Sequence, residues 1–212
     1  VCSMNRAKEI FELGQSIWYD NIDHDLLRDG RMQKMVEDGH IYGVTSNPSI
    51  FEAALKNSVS YDDVLQAMAW SGMDREQIYF ELVKEDIQQT ADFLSDLYQR
   101  TNGQDGLVSV EINPYYAYDV EKSVEEGKAL WAQFNRPNLM IKVPATIEGL
   151  ATITELIAAG INVNATLIFS IERYRQVMDA YLSGLEKRLA NGESIDRIAS
   201  VASFFVSRID TA

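Results

Sequence analysis

Cysteine and histidine are scarce in this chain of 212 residues, and their scarcity excludes two kinds of site. The one cysteine, Cys2, cannot form an internal disulfide, which favours a reducing, cytoplasmic setting. The two histidines, His24 and His40, lie far apart in the sequence and lack the spacing of metal ligands. We therefore expect both histidines at the surface and no metal centre.

Positive charge is also in short supply, since 19 Lys and Arg residues face 32 Asp and Glu residues, for a formal net charge of −13. Such a chain repels polyanions at long range, so neither nucleic acid nor an anionic membrane is expected as a partner. A small phosphorylated ligand remains compatible, because one or two arginines with backbone amides suffice to bind a single phosphate.

Long hydrophobic runs are missing as well, and no segment has the length or flanks of a membrane span or signal peptide. Residues 1–3, ahead of Met4, are expected to be a remnant of an expression vector. The remaining composition, 46% hydrophobic and 24% charged, predicts a single globular domain over residues 1–212 with a substantial core.

Short apolar strands alternate with helical periodicity along the chain. Strands are predicted at 16–20, 43–47, 107–112, 139–144, 163–169 and 198–206. Helices are predicted at 5–15, around 26–36, over most of 50–99, and at 120–134, 148–158 and 172–189. The longest helix within 50–99 begins at Asp74, with Gln77 completing a capping box. Strict alternation favours right-handed crossovers and a parallel sheet, either doubly wound or closed into a barrel.

Polar residues gather where the predicted strands end. Three of the four prolines follow a strand within two residues and mark its carboxyl end. Just upstream of these prolines lie Asn47, Glu111 and Lys142. In a parallel barrel this rim is where active sites form.

Lys142 lies inside the apolar run 139–144, which is typical of a strand buried on both faces. Desolvation disfavours an ammonium, and the free amine is the form that attacks a ketone to make a Schiff base. One alternative is a lysine whose stem packs while its head reaches water. Another is a buried ion pair with Glu111, which costs desolvation without obvious gain in stability. Because barrel rims collect such groups for chemistry, we favour the catalytic interpretation.

The period of two in the strands predicts one polar, inward face and one apolar face. The inward set comprises Thr45, Asn47, Ser109, Glu111, Asn113, Met140, Lys142, Asn164, Thr166, Ser203 and Phe205. The set expected to face the helices comprises Val108, Val110, Ile112, Ile141, Val143, Val163, Ala165 and Leu167. We interpret Thr45, Ser109 and Asn113 as packing or rim residues.

Five segments carry recognisable motifs: Gly43–Ser49, Ile141–Thr146, Asn162–Ser170, Ser16–Ile22 and Ser203–Asp210. The first three resemble the signatures of the transaldolase family, whose members are class I aldolase-type (β/α)8 TIM barrels, and the last two resemble the family's first and sixth strands. The resemblance implies an α/β barrel. Such a barrel has eight strands in about 250 residues, so we expect this chain to be a barrel cut short after its sixth strand.

The resemblance also implies the roles of the catalytic residues. Lys142 would form the Schiff base, and Glu111 would move protons through a water held with the help of Thr166. Asp20 would take the proton from the C4 hydroxyl as the C3–C4 bond breaks. No cofactor and no metal are expected, because the imine itself is the electron sink.

The residues that bind substrate follow from the same resemblance. Asn47 and Asn164 would hydrogen-bond the hydroxyls of the bound dihydroxyacetone unit. Ser203 and Arg208 would hold the phosphate of the sugar, with the planar fork of the arginine suited to that group.

The implied activity is transfer of dihydroxyacetone from a ketose phosphate (sedoheptulose 7-phosphate or fructose 6-phosphate) to an aldose phosphate (glyceraldehyde 3-phosphate or erythrose 4-phosphate). This reaction belongs to the non-oxidative pentose phosphate pathway in the cytoplasm. Two alternatives stay open: a fructose-6-phosphate aldolase that releases dihydroxyacetone, and an inactive sugar-phosphate-binding fragment whose sheet edges pair with another chain. Sugar phosphates are the expected partners, and a homo-oligomer or a fusion to a glucose-6-phosphate isomerase domain is compatible with the resemblance.

Overall fold

A computed structural model describes residues 5–22, 24–46, 66, 68 and 70–210. The chain divides into two compact units, Val1–Val108 and Ser109–Ala212. The single domain expected over residues 1–212 stays a prediction.

The first unit alternates helices and strands as the sequence predicts. Its elements are α1 (Arg6–Glu12), β1 (Trp18–Tyr19), α2 (His24–Arg28), α3 (Arg31–Glu37), β2 (Gly43–Thr45) and α4 (Arg75–Arg100). The helix expected around 26–36 is interrupted at Gly30, whose φ of 79° lies in the left-handed region that favours glycine. Residues 47–65, 67 and 69, which include Asn47 and most of the expected helical stretch from 50, lie outside the described residues.

The long helix α4 begins at the predicted capping box. The Asp74 carboxylate accepts a hydrogen bond from the Gln77 N–H at 2.9 Å, and the Gln77 side chain accepts from the Asp74 N–H at 3.0 Å. This reciprocal pair satisfies two backbone donors that a helix start leaves without partners.

The strands of the first unit are parallel. β1 pairs with β2 so that Trp18 lies opposite Gly43, and a Cβ at Gly43 would meet the Trp18 ring at 2.3 Å. Glycine at this position therefore lets the indole lie flat against the neighbouring strand. On the other side of β2, the Val44 N–H donates to the Leu107 carbonyl at 3.0 Å, directly before β3 begins.

The second unit follows the predicted boundaries closely. Its elements are β3 (Val108–Glu111, beginning at the unit's edge), a 3-10 turn (Pro114–Tyr116), α5 (Val120–Phe134), β4 (Leu139–Pro144), α6 (Ile147–Ala158), β5 (Val163–Ile168), α7 (Ile171–Ala190), β6 (Ser200–Phe204) and α8 (Val206–Asp210). The bounds of α5 and β4 coincide with the prediction. The other helices and strands differ from it by one or two residues at an end, and α8 was not predicted.

Neighbouring strands of the second unit are also neighbours in the chain. The Ile112 N–H donates to the Lys142 carbonyl at 3.2 Å and links the end of β3 to β4. β4 then pairs in parallel with β5, and β5 with β6. A helix connects each strand to the next, so the predicted α/β class with consecutive parallel β/α units, the arrangement of a (β/α)8 barrel, is confirmed.

The apolar side of the second unit's sheet packs on its helices, and glycines allow the close approach. A Cβ at Gly127 of α5 would meet Leu156 and Ile141, and one at Gly184 of α7 would meet the Ile157 side chain at 2.7 Å. Ile141 and Ile157 are fully buried. The hydrophobic core of this unit therefore lies between its strands and α5, α6 and α7.

One predicted orientation in β5 is wrong. Leu167 was expected to face the helices, but it is 40% exposed, whereas the next residue, Ile168, is fully buried. The pairing of β5 with β6 shifts register between Ala165 and Ile168, which marks a β-bulge. The extra residue reverses the alternation that a regular strand would have followed.

Within the described residues, no helix is both long enough and apolar enough to span a bilayer.

The contact between Gly149 and the end of β4 leads to a stability prediction. A Cβ at Gly149 would lie 2.0 Å from the Pro144 carbonyl oxygen, a backbone atom that cannot move alone. We expect Gly149→Ala to lower the free energy of unfolding by about 2–3 kcal/mol, as overpacking does. Urea denaturation followed by circular dichroism measures this loss.

Gly127→Ala is the matched control. Its new methyl group would meet the end of the Leu156 side chain at 2.9 Å, which can shift more easily than a backbone atom. Alanine also favours the helix, so a smaller loss than that of Gly149→Ala is expected. Equal losses in the two variants would contradict the explanation.

Candidate active site

A hydrogen-bonded polar layer lines one face of the second unit's sheet. The Asn164 side chain on β5 donates through Nδ2 to the Ser109 Oγ on β3 at 3.0 Å. Its Oδ1 accepts from the Ser203 Oγ on β6 at 2.9 Å. The predicted inward positions of β3, β5 and β6 are thereby brought together, and Ser109 is the satisfied packing residue that the sequence suggested.

This polar face is concave. Ser109 and Asn164 belong to strands that are separated by β4, and two strand spacings amount to about 10 Å in a flat sheet. Side chains stand roughly perpendicular to a sheet, so these two short side chains meet at 3.0 Å only because the strands curl toward them. The side chains of the middle strand, β4, that point to this face therefore lie on its concave side.

Lys142 and Glu111 lie next to each other on this concave face. Lys142 is 6% exposed, and its Nζ lies 3.7 Å from Oε2 of Glu111. Burial raises the pKa of the Glu111 carboxyl above its ordinary value, although the nearby Lys142 charge offsets part of the rise. A carboxyl with a raised pKa beside a buried amine is suited to giving and taking a proton.

Thr166 lies on the same face, two residues beyond Asn164 along β5. Asn164 pairs with Lys142, and Thr166 pairs with Pro144, so the threonine is placed just past the lysine toward the carboxyl end of the strands. Its Oγ1 is buried and has no hydrogen-bond partner among the described residues. A buried hydroxyl in this state costs free energy, and such groups occur where a ligand or water is bound.

Arg208 lies on the exposed helix α8, close to Ser203 in the chain. Its guanidinium carbon is 4.6 Å from the centre of the Phe205 ring, a cation–π contact. Phe205 in turn stacks on Phe169 at 5.5 Å between centroids. The aromatic stack supports one face of the guanidinium and leaves its N–H groups in the plane of the fork available to an anion.

Two expected site residues belong to an earlier part of the chain. Asp20 directly follows β1 in the first unit and is exposed. Asn47 lies outside the described residues.

The expectation that both histidines lie at the surface is half right. His40 is exposed, but His24 is buried, and its Nδ1 lies 2.7 Å from the Asp86 carboxylate of α4. The sequence did not reveal this pair because the partner belongs to a distant helix. Among the residues that the structure describes, no cluster of His, Cys, Asp or Glu side chains could hold a metal ion.

Sequence reasoning missed another partly buried glutamate, Glu126 on α5. The Glu126 carboxylate accepts a hydrogen bond at 2.8 Å from the N–H of Asn113, which follows Glu111 by two residues. Burial raises the pKa of Glu126. Thr146 similarly donates to the Ala117 carbonyl at 2.7 Å. These contacts fix the loop that follows β3, and a glutamate within an amphipathic helix gives no signal of such a role in one sequence.

Comparison with known proteins supports the resemblance seen in the motifs. Residues 17–212 match the family model described as transaldolase/fructose-6-phosphate aldolase. The chain is 48% identical over 207 residues to the transaldolase of Saccharopolyspora erythraea, covering 98% of this chain and 56% of the relative.

Other relatives match to a similar extent. Identity is 47% to the transaldolase of Thiobacillus denitrificans, covering 99% of this chain and 58% of the relative. Identity is 45% to transaldolase 2 of a Nostoc species, covering 98% of this chain and 55% of the relative. The chain thus spans about half the length of the curated relatives that it matches. With a family match over nearly the whole chain and a buried lysine beside a glutamate of the adjacent strand, the chain belongs to the transaldolase/fructose-6-phosphate aldolase family.

Proposed function

We propose that this protein is a transaldolase, which transfers a dihydroxyacetone unit between sugar phosphates through a Schiff base on Lys142. The observation that carries the proposal is the burial of the Lys142 amine 3.7 Å from the Glu111 carboxyl, on the face that also carries the hydrogen-bonded Ser109, Asn164 and Ser203. The family match and the relatives named transaldolase support it.

In the proposed reaction the Lys142 amine adds to the ketose carbonyl and forms a carbinolamine. Loss of water gives the iminium ion, and the departing hydroxyl needs a proton. Glu111 supplies it, because its raised pKa keeps a larger fraction protonated than for an exposed glutamate. Since 3.7 Å is longer than a direct hydrogen bond, transfer through a bridging water held by Thr166 fits the spacing.

Cleavage then breaks the C3–C4 bond. Asp20 takes the proton of the C4 hydroxyl, the aldose phosphate leaves as an aldehyde, and the electron pair of the broken bond passes to the iminium nitrogen as an enamine. The enamine adds to the carbonyl carbon of a second aldehyde, whose oxygen takes the proton back from Asp20. Water then hydrolyses the new iminium ion, which releases the ketose and restores the Lys142 amine. The imine accepts the electrons, so the scheme requires neither metal nor cofactor.

Substrate binding is assigned to the polar residues around the lysine. Asn164 uses one amide hydrogen for Ser109 and one oxygen lone pair for Ser203, which leaves one of each for substrate hydroxyls. Asn47 is proposed for the same unit. Arg208 would bind the phosphate with its fork, and Ser203 would redirect its hydroxyl from Asn164 to a phosphate oxygen.

The substrates in this proposal are sedoheptulose 7-phosphate or fructose 6-phosphate as donor, and glyceraldehyde 3-phosphate or erythrose 4-phosphate as acceptor. A cytoplasmic location, a homo-oligomer and a fusion to an isomerase domain stay predictions. The second candidate is a fructose-6-phosphate aldolase, since the matching family model covers both activities. The two share the lysine chemistry, and they differ in whether turnover requires an acceptor aldehyde.

The Schiff base predicts a covalent adduct. Incubation of the full-length protein with fructose 6-phosphate and borohydride should leave a reduced ketose-derived adduct on Lys142, detected by peptide mass spectrometry. Lys142→Ala should abolish the labelling, whereas Lys128→Ala, which removes an exposed lysine of α5, should not. Persistent labelling in Lys142→Ala would refute the assignment and favour a sugar-phosphate-binding role without catalysis.

Glu111 predicts a pH-dependent defect. Glu111→Gln keeps the shape of the side chain and loses proton transfer, which should slow imine formation by about 10²–10⁴-fold. In the unmodified protein the contribution of Glu111 as an acid should decline as pH rises through its raised pKa. The trapping rate of the unmodified protein divided by that of Glu111→Gln should therefore be largest below the pKa of Glu111 and decrease above it.

Glu126→Gln is the matched control, because Glu126 is also a partly buried glutamate whose pKa is raised by burial. Glutamine can still accept the hydrogen bond from Asn113, so trapping rate and its pH profile should both stay close to those of the unmodified protein. An unchanged rate in Glu111→Gln would mean that Glu111 is only a rim carboxylate.

Asp20 predicts an arrested intermediate. If it serves C3–C4 cleavage alone, Asp20→Ala should form the imine and stall. Borohydride should then trap the six-carbon sugar phosphate on the protein, whereas the unmodified protein should give mainly the three-carbon dihydroxyacetone adduct. Mass spectrometry separates the two, and a three-carbon adduct alone in Asp20→Ala would assign cleavage to another group.

A further inference from the structure

Leu167 adopts a backbone conformation that leucine disfavours. Its φ of 60° lies in the left-handed region, although it sits inside β5. In the described part of the chain, the other residues besides glycine with positive φ are Asn102, Asn135 and Arg197, which lie in turns or at a helix end. Asparagine tolerates this region, but a branched apolar side chain inside a strand is held there only when its surroundings require it.

The different environments of the two faces of β5 require the left-handed conformation of Leu167. Ala165 pairs with Ala202 and Ile168 with Phe204, so Thr166 and Leu167 together oppose the single residue Ser203. In a regular strand, Thr166 and Ile168 would share the inner face. The bulge instead keeps Thr166 on the polar face and turns Ile168, which is fully buried, toward the helices.

The residue beside the bulge carries the buried hydroxyl described above. Thr166 is 1% exposed, and its Oγ1 has no hydrogen-bond partner among the described residues. It lies about 7 Å along β5 from Asn164, the residue opposite Lys142, which is within reach of the extended lysine side chain. Since no described residue bonds to it, this hydroxyl is available to the oxygen that Lys142 chemistry adds and removes.

We infer that the left-handed Leu167 bulge is a positioning device that directs the Thr166 hydroxyl to the reacting oxygen at Lys142, through its backbone conformation and not through its side chain. The inference rests on the proposed function, because it assigns Leu167 to the imine chemistry. The inference goes beyond the proposed function because it names the backbone feature that sets the position of the Thr166 hydroxyl.

Substitutions that differ in their tolerance of positive φ test the inference. Glycine and asparagine accept the left-handed region, whereas the β-branched valine and isoleucine resist it. Leu167→Gly and Leu167→Asn should keep the rate of borohydride trapping within about threefold. Leu167→Val and Leu167→Ile should lower it by about tenfold to a hundredfold, the size expected for a small misplacement of a reacting group.

A double-mutant cycle with Thr166→Val shows whether the effect passes through the hydroxyl. Thr166→Val alone should slow trapping, and adding Leu167→Val should then cause little further loss. Two independent, multiplying losses would overturn the inference, as would a Leu167→Val protein with the unmodified rate. A purely structural role would lower thermal stability without this loss of additivity.

Two further results separate the remaining explanations. If Leu167→Val does not fold, Leu167→Gly decides: an unchanged rate supports the backbone role, and a loss as large as that of Thr166→Val overturns it in favour of the leucine side chain. If the unmodified full-length protein forms no adduct at Lys142, the proposed function has failed and the inference falls with it. If the adduct forms but the trapping rates of the Leu167 variants do not follow how well each new residue tolerates a positive φ, only the inference is refuted.

Discussion

The burial of the Lys142 amine beside the Glu111 carboxyl is the constraint around which the second unit is arranged. Every residue of β4 is buried, and removing an ionisable pair from water costs several kcal/mol per ion. Ser109, Asn164 and Ser203 bond to one another, so this polar layer is satisfied largely within itself. A pair with this desolvation cost is weak support for stability, which favours the catalytic role proposed for it.

Stability comes from the opposite face of the same strands. Ile141, Val163 and Ala165 pack against the helices, which approach closely because Gly127 and Gly184 have no side chains. β5 has to serve both faces, and it does so with a strained residue at Leu167. Backbone strain and a buried hydroxyl that has no hydrogen-bond partner in the described part of the chain thus occur next to each other, where the apolar packing over-determines the chain.

The fold was largely predictable because its signals are local. Hydrophobic periodicity and helix caps place α5 and β4 at the predicted bounds, and the Asp74 capping box marks the start of α4. Local signals failed where one residue changes the periodicity. Gly30 interrupts a helix although the apolar pattern continues past it. The bulge at Leu167 reverses the faces on which the following side chains of β5 lie, and no glycine in the strand indicates it.

By itself, the sequence determined which chemistry is present: a lysine within an apolar strand, a glutamate at the end of the preceding strand, and the order of the β/α units. Only the tertiary structure decided which groups meet. It brought Ser109 to Asn164 across β4, buried His24 against Asp86, and placed Glu126 under the loop after β3. The physical reason is that periodicity reports the face of one element, whereas strand curvature, register and burial depend on partners distant in the chain.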